Sequence, residues 1–531
     1  MTLAGSMILV DQTAVPMAIA QIMDDLNGPL AIGQWVLTAN ILPLAAFLVL
    51  GGRLGDGFGL KRSFLIGALV FAVSTVAAGL APDVPWLLTA RVVQGLSAAV
   101  MMPTSVAITS AVWPVQRRGF ALGLLAGLSA FFAAIGPVLG GFLTNVSWRL
   151  VFLINVPLAL GAIVLTVLGT PAIRANPVAR QGISYLSCAC FSGFIVCLVF
   201  GLAQGQPEGW TSGQVVASLT ASVLFLVLFV VVNARARVPL IKFSLFRRAN
   251  FLASTLSQVL AGMVELGLGF LLPYYLLLVV GVGPIAAGVA LIPGTIPIIL
   301  VGPLAGRLFD RIGGRWPLTV GFLILSASGV ALALGVSGHS ALSIIPGLVL
   351  QGLALGIVLT VNDPVGMNAV DDDDQGEAAG IINTAEQLGG ALGIAILGAV
   401  ELTTYYTLLN DKLGDKGIVP SADDVTQARQ FIADAMEHGI RNVQPPNPRI
   451  ASVYQDFIDA HGQSFRLAFV ASALIALLGA LASWLLVRKV PGTLPPVFSR
   501  RSRWIVATAG GTTPGLTRLP PLAVEPDPPP D

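Results

Sequence analysis

Charged side chains are scarce in this sequence: Asp, Glu, Lys and Arg make up 11% of 531 residues, against 55% hydrophobic ones. A chain so short of charge cannot keep most of its surface in water, which excludes an ordinary soluble domain. Cysteine is almost missing. Cys188, Cys190 and Cys197 are all there are, in one apolar stretch, so they offer neither a disulfide framework nor a metal-ligand spacing and read as small apolar core residues. No cluster of basic side chains gives a phosphate backbone a footprint, which excludes nucleic acid. No Gly-rich loop is placed to cradle phosphates, so no nucleotide, no other cofactor and no enzymatic chemistry are expected.

What is present is apolar length. A bilayer-spanning helix needs about 20 mostly apolar residues, and segmenting at Gly, Pro and charge clusters predicts fourteen, the first over 2–22 and the last over 465–487. The first lacks the basic start and small-residue cleavage site of a signal peptide and reads as a retained helix. With the N-terminus inside, 21 of the 29 basic residues fall in inner loops and the tail, so the positive-inside rule predicts both termini in the cytoplasm of a multi-pass plasma (inner) membrane protein.

The chain repeats itself at an offset of 254 residues. Gly52, Arg53, Leu54, Asp56, Gly59 and Lys61 fall onto Gly306, Arg307, Leu308, Asp310, Gly313 and Arg315. At the same offset Asp11, in the middle of its apolar segment, falls onto Glu265, in the middle of another. A carboxylate at bilayer depth is costly and marks a functional site by default. Two halves, each with a buried acid, predict an ion-coupled transporter. The predicted plan is a six-helix bundle over 1–170, two additional helices and a cytoplasmic linker over 171–250, and a second six-helix bundle over 251–490. Helices seven and eight have no counterpart in the repeat and are expected at the periphery, away from the cavity between the halves. The polar outer loop 404–464 is expected to carry a short amphipathic helix behind Ser421 and Asp424, on the protein's own outer mouth or as a docking point for an accessory protein. The Pro-rich tail, 491–531, is expected to be disordered.

The segment Gly51-Gly52-Arg53-Leu54-Gly55-Asp56-Gly57-Phe58-Gly59-Leu60-Lys61-Arg62 and its echo Gly306-Arg307-Leu308-Phe309-Asp310-Arg311-Ile312-Gly313-Gly314-Arg315 resemble the loop between helices two and three of the major facilitator superfamily. Arg91-Val92-Val93-Gln94-Gly95, the run from Gly127 to Gly136-Pro137-Val138-Leu139-Gly140-Gly141, Leu9-Val10-Asp11-Gln12-Thr13 and Trp148-Arg149 through Asn155-Val156-Pro157 resemble further motifs of its fourteen-helix drug:proton antiporters of the EmrB/QacA type. Met17 departs from that family, which commonly has Asn there.

The resemblance implies an all-α major facilitator fold that expels hydrophobic, cationic or amphiphilic small molecules in exchange for protons, with the proton gradient as its energy source. It implies proton coupling at Asp11 and Arg91, to which the repeat adds Glu265. Gly52, Asp56, Gly59, Lys61, Arg62, Asp310 and Arg311 would latch the cytoplasmic ends, Asp56 meeting a basic side chain and a neighbouring helix N-terminus. Gly136, Pro137, Gly140 and Gly141 would let helix five bend and seal against the opposite half. Asp11 carries a second reading as a structural ion pair with Arg91. Glu386 and Gln387, in Thr384-Ala385-Glu386-Gln387, are candidates for substrate contact, although Glu386 also reads as a solvated acid near the cytoplasmic end. Asp371 to Asp374 read as a solvated turn, and Asp363 and Glu401 receive no role. Two other functions remain open: export of one endogenous lipid, siderophore or metabolite, and a transport-inactive sensor or scaffold.

Overall fold

Apolar segments of this length satisfy their backbone hydrogen bonds internally, and the computed structural model is all-helical among its described residues, which are 1–26, 30–114, 117–170, 184–205, 209–282, 284–338, 340–371, 374–415 and 448–488. The first half comprises α1 (Thr2–Ala14), α2 (Ile19–Asp25), α3 (Leu30–Phe58), α4 (Leu60–Gly79), α5 (Val84–Val112), α6 (Arg118–Val146), α7 (Trp148–Leu153) and α8 (Asn155–Gly169). Two inserted helices follow, α9 (Tyr185–Gly205) and α10 (Gly213–Arg235). The second half comprises α11 (Ala249–Tyr275), α12 (Pro284–Ile312), α13 (Arg315–Gly335), α14 (Ile345–Met367), α15 (Gln375–Asp415) and α16 (Pro448–Leu486).

Twelve helices among the described residues are long and apolar enough to cross a membrane, against the fourteen expected. The expected spans 2–22 and 119–142 are not among the twelve. The first is broken by a 3-10 turn at Val15–Ala18, where Pro16 has no N–H to donate and its ring crowds the preceding turn. The expected outer loop also shrinks, because α15 runs on to Asp415 and α16 begins at Pro448. Ser421, Asp424 and the tail 491–531 lie outside the described residues.

Met1–Gly492 form one compact unit. Its first half closes on a core of Met7, Phe64, Phe71 and Met101, and its second on Leu268, Tyr275, Phe322, Phe465 and Phe469. The halves meet along α3 with α15 and along α6 with α12, the same contact made twice by the repeat. Glycine permits both approaches. A Cβ at Gly52 would collide with the Gly376 carbonyl oxygen, and one at Gly306 with that of Gly119. Gly59 (φ 97°) and Gly313 (φ 79°) turn the chain at equivalent places in the left-handed region that other residues avoid.

Candidate functional site

Where the halves touch at one end, each carries a carboxylate that caps a helix of the other. Asp56, at the end of α3, accepts from the backbone N–H of Gly376 and of Glu377, both at 2.8 Å, at the start of α15. Asp310, near the end of α12, accepts from Gly119 and Phe120, both at 3.1 Å, at the start of α6. Unpaired N–H groups and the positive end of a helix dipole favour an anion there. Around Asp56, Arg53 pairs with Glu377 at 3.0 Å and donates to the Pro239 carbonyl at 2.7 Å. Around Asp310, Arg307 lies over the Phe120 ring, 4.8 Å from its centroid. Lys61 donates to the carbonyls of Val167 and Thr170 at the end of α8. Arg62 and Arg311 are exposed.

The acidic run expected to be a solvated turn is in part ion-paired. Asp374 meets Lys242 Nζ at 2.5 Å and Asp371 meets Arg248 at 2.6 Å, both on the strap between α10 and α11. The Arg248 hydrogen bond holds the Asp371 carboxyl below the usual carboxylate range. The Lys242 backbone N–H also donates to Glu377 at 2.6 Å.

The helix-five glycines divide differently from expectation. Gly136 and Gly140 face α1, where a Cβ would collide with the Thr13 hydroxyl or the Ala14 carbonyl. These belong to the same half. The opposite half is met by Gly119 and Gly123, against Gly306 and Gly302 of α12, so the seal forms about four to six turns before the expected residues. Gly141 has nothing within 4 Å of its would-be Cβ, and the Pro137 side chain is outside the described set.

The two repeated acids stand in opposite circumstances. Asp11 is buried and ion-paired with Arg91. Gln94 Nε2 donates to its other oxygen at 3.1 Å and to Thr75 at 3.0 Å, while Arg91 Nη1 donates to Gln94 at 2.8 Å and Arg91 Nε to the Val36 carbonyl at 2.9 Å. The cage ties α1, α3, α4 and α5 together. It faces away from the cavity, which is lined instead by the next residue, Gln12. In the second half the Gln94-Gly95 pair recurs as Gln351-Gly352, with Leu348 where the motif has Arg91, and among the described residues Glu265 has no such counter-ion. One Glu265 oxygen, Oε2, is buried without a hydrogen-bond partner.

Glu265 lines a cavity of about 280 Å³ between the halves, together with Glu386 and Gln387 of α15. Glu386 is therefore not a solvated acid at a helix end. Eleven residues into α15 it lies roughly 16 Å from the helix start, about half of a bilayer's hydrocarbon depth. Gln258 Nε2 donates to it at 2.6 Å, and Asn362 in turn donates to Gln258. Gln258 and Asn362 were not singled out from sequence. Their signal was available, since each is an amide in an apolar span and Asn362 precedes Asp363. Glu386 is also close enough to act electrostatically on both Glu265 and Asp363. Apart from Gln12, the cavity's remaining wall is apolar, with Ile8, Leu9, Ile41 and Met102 from the first half. It also holds Val199, Leu202 and Ala203 of α9, so the seventh predicted helix is not peripheral, while α10 is mostly exposed, as expected.

Trp148 and Arg149 both donate to Asp25, at 2.9 and 2.6 Å, and hold its carboxyl below the usual range. Glu401 pairs with His461 at 3.1 Å and accepts from Ser464 at 2.9 Å, joining α15 to α16.

Comparison with known proteins agrees with this architecture. The family model for the Major Facilitator Superfamily matches residues 1–394. The chain is 32% identical over 486 residues to the tetracenomycin C resistance and export protein of Streptomyces glaucescens, covering 89% of this chain and 88% of that one. It is 32% identical over 432 residues to the puromycin resistance protein of Streptomyces alboniger (79% and 83% covered) and 28% identical over 487 residues to the multidrug resistance protein Stp of Mycobacterium tuberculosis (89% of each). Among solved structures it resembles the proton:xylose symporter XylE, at a TM-score of 0.56 and 14% identity over 92% of this chain and 95% of that one. The human organic anion transporter TETRAN scores 0.57 at 14% identity, with 91% and 98% covered. A membrane fold in two matched halves, latched to each other at one end and enclosing a cavity between them, is thus joined to a family match over most of its length, and the chain belongs to the Major Facilitator Superfamily of membrane transporters.

Proposed function

We propose that the protein exports hydrophobic, cationic or amphiphilic small molecules across the plasma membrane in exchange for protons, with both termini in the cytoplasm. The observation that carries this reading is the pair of carboxylates, Glu265 and Glu386, set in an otherwise largely apolar cavity between two halves that can rock about it. An acid removed from water is driven toward its neutral form and ionises when a cation or water approaches, which makes proton and cation competitors for one site. Glu265, without a counter-ion, is the first carrier. Glu386, oriented by Gln258, and Gln387 contact the substrate. Asp11 and Arg91 keep their pairing and hold α1 against α5. Asp56 and Asp310 latch the cytoplasmic ends when the site faces outward, and the proton gradient drives their release. The names of the relatives, resistance and export proteins for tetracenomycin C, puromycin and multiple drugs, support export as the direction. The small cavity and the two single-antibiotic names favour a narrow substrate range within this class.

The test is efflux of a fluorescent lipophilic cation from cells expressing wild type, Glu265→Gln or Asp11→Asn at matched membrane levels, with and without a protonophore. Protonophore-sensitive efflux lost in Glu265→Gln supports the reading. Efflux unaffected by Glu265→Gln would remove Glu265 as carrier, and no efflux from wild type would favour the dedicated-exporter or scaffold readings.

A further inference from the structure

One wall of the cavity belongs to neither half. Cys188, Ser192, Ile195, Val199 and Leu202 recur at steps of three and four residues and so share one face of α9. The first part of that face is dry. Ser192 Oγ donates to the Ala46 carbonyl of α3 at 3.0 Å, and Ile195 is buried in a cluster that includes Ala45 and Ala46 of α3 with Ile381 and Ile382 of α15. Further along each helix the seam opens into the cavity: Ala45 lies at its edge with Ile41 a turn beyond, Ile382 gives way to Glu386, and Ile195 to Val199 and, a turn later, Leu202. Trp35 of α3 meets Phe200 of α9 at 5.9 Å. From behind, α10 holds α9 in place, with Ser218 donating to the Cys197 carbonyl at 2.7 Å and with Phe225 and Leu219 packed against Gly193 and Gly201.

We infer that α9 is the specificity wall of the transport site: Val199 and Leu202 set the largest apolar body that fits beside Glu265 and Glu386. This rests on the reading that the cavity holds substrate. The physical argument is that α3 and α15 come from opposite halves and part company at the cavity, where an apolar cleft would otherwise face lipid. The α9 face fills that cleft. Its side chains therefore fix the distance across the cavity, while the acids opposite fix its preference for positive charge. At about 280 Å³ the space lies at the lower limit of sites for drug-sized ligands, roughly 300 Å³, so a single side-chain change decides which ligands enter. Steric change in a close-fitting apolar pocket discriminates between ligands by about tenfold or more.

The experiment measures binding of tetraethylammonium, tetrabutylammonium and tetraphenylphosphonium to the full chain in nanodiscs for wild type, Leu202→Trp and Leu202→Ala, with Leu224→Trp on the exposed face of α10 as control. Leu202→Trp is expected to weaken tetraphenylphosphonium about tenfold and tetraethylammonium less than threefold. Leu202→Ala is expected to spare the largest ion, and Leu224→Trp to change nothing. Equal weakening of all three ions by Leu202→Trp, or of none, overturns the inference. A second arm needs no ligand. With Cys188, Cys190 and Cys197 replaced, Leu202→Cys should react with a water-soluble thiol reagent at a rate near that of Gln12→Cys and well above that of Leu224→Cys. A Leu202→Cys no faster than Leu224→Cys refutes the wall. If wild type binds none of the ions but Leu202→Cys reacts, the wall stands and the cationic-substrate reading falls.

Discussion

Asp56→Asn tests the latch most directly. Asp56 accepts two backbone N–H groups, one on each oxygen, at 2.8 Å, at the mouth of a 41-residue helix. Asparagine keeps one acceptor oxygen, turns the other into a donor facing an N–H, and removes the charge that the helix terminus favours. Hydrogen bonds to a charged group contribute about 1.5–3 kcal/mol each and the dipole a further ~0.3–1 kcal/mol. One bond is lost and the other weakened, so the joined state should lose about 2–3 kcal/mol, a shift of roughly 30- to 150-fold toward separated ends. Spin labels at Arg62→Cys and Arg311→Cys, both exposed and in opposite halves, would report it by pulsed electron resonance after the three native cysteines are replaced. The expected result is a new long-distance population in Asp56→Asn. A weaker change is expected for Asp310→Asn, whose bonds are longer at 3.1 Å. An Asp56→Asn distance distribution identical to that of the parent would refute the reasoning.

Arg91→Ala leaves the Asp11 carboxylate buried with its cation gone and should cost about 3–5 kcal/mol. Thermal unfolding in detergent should show a large drop that Asp11→Asn added to Arg91→Ala partly restores, and no restoration would mean that the two do not act as a pair. Gly393→Leu places side-chain atoms on the Met263 carbonyl of α11 and should abolish accumulation in the membrane, whereas Gly141→Leu, with open space around its Cβ position, should be tolerated. Gln258→Leu removes the donor that orients Glu386 and should weaken binding of a lipophilic cation about tenfold, with unchanged expression, and it should do so less in a Glu386→Gln background.

Much of the fold was legible because the bilayer allows few solutions. Apolar length predicted helices, the 254-residue offset predicted two halves, and the paired Gly-Arg-Asp-Gly segments predicted a tight turn in each half and, for Asp56, a neighbouring helix N-terminus, but not that each acid caps a helix of the opposite half. The strap Pro239–Arg248 was not legible in this way, because nothing in the pattern of Lys242 and Arg248 says which of many acids they will meet. The same is true of Gln258 and Asn362, whose hydrogen bonds join three helices far apart in sequence.

The sequence by itself determined that the chain crosses a membrane repeatedly, that it is internally duplicated, and that acids lie within its spans, because hydropathy, period and the cost of a buried charge are local quantities. The tertiary structure alone decided what each acid faces. Asp11 and Glu265 occupy equivalent places in the repeat, yet one meets Arg91 and the other faces the cavity. Only packing brings α9 from outside the repeat to the cavity wall and Glu386 to mid-membrane depth, because the distance between side chains on different helices depends on helix crossing and register, which no single stretch of sequence contains.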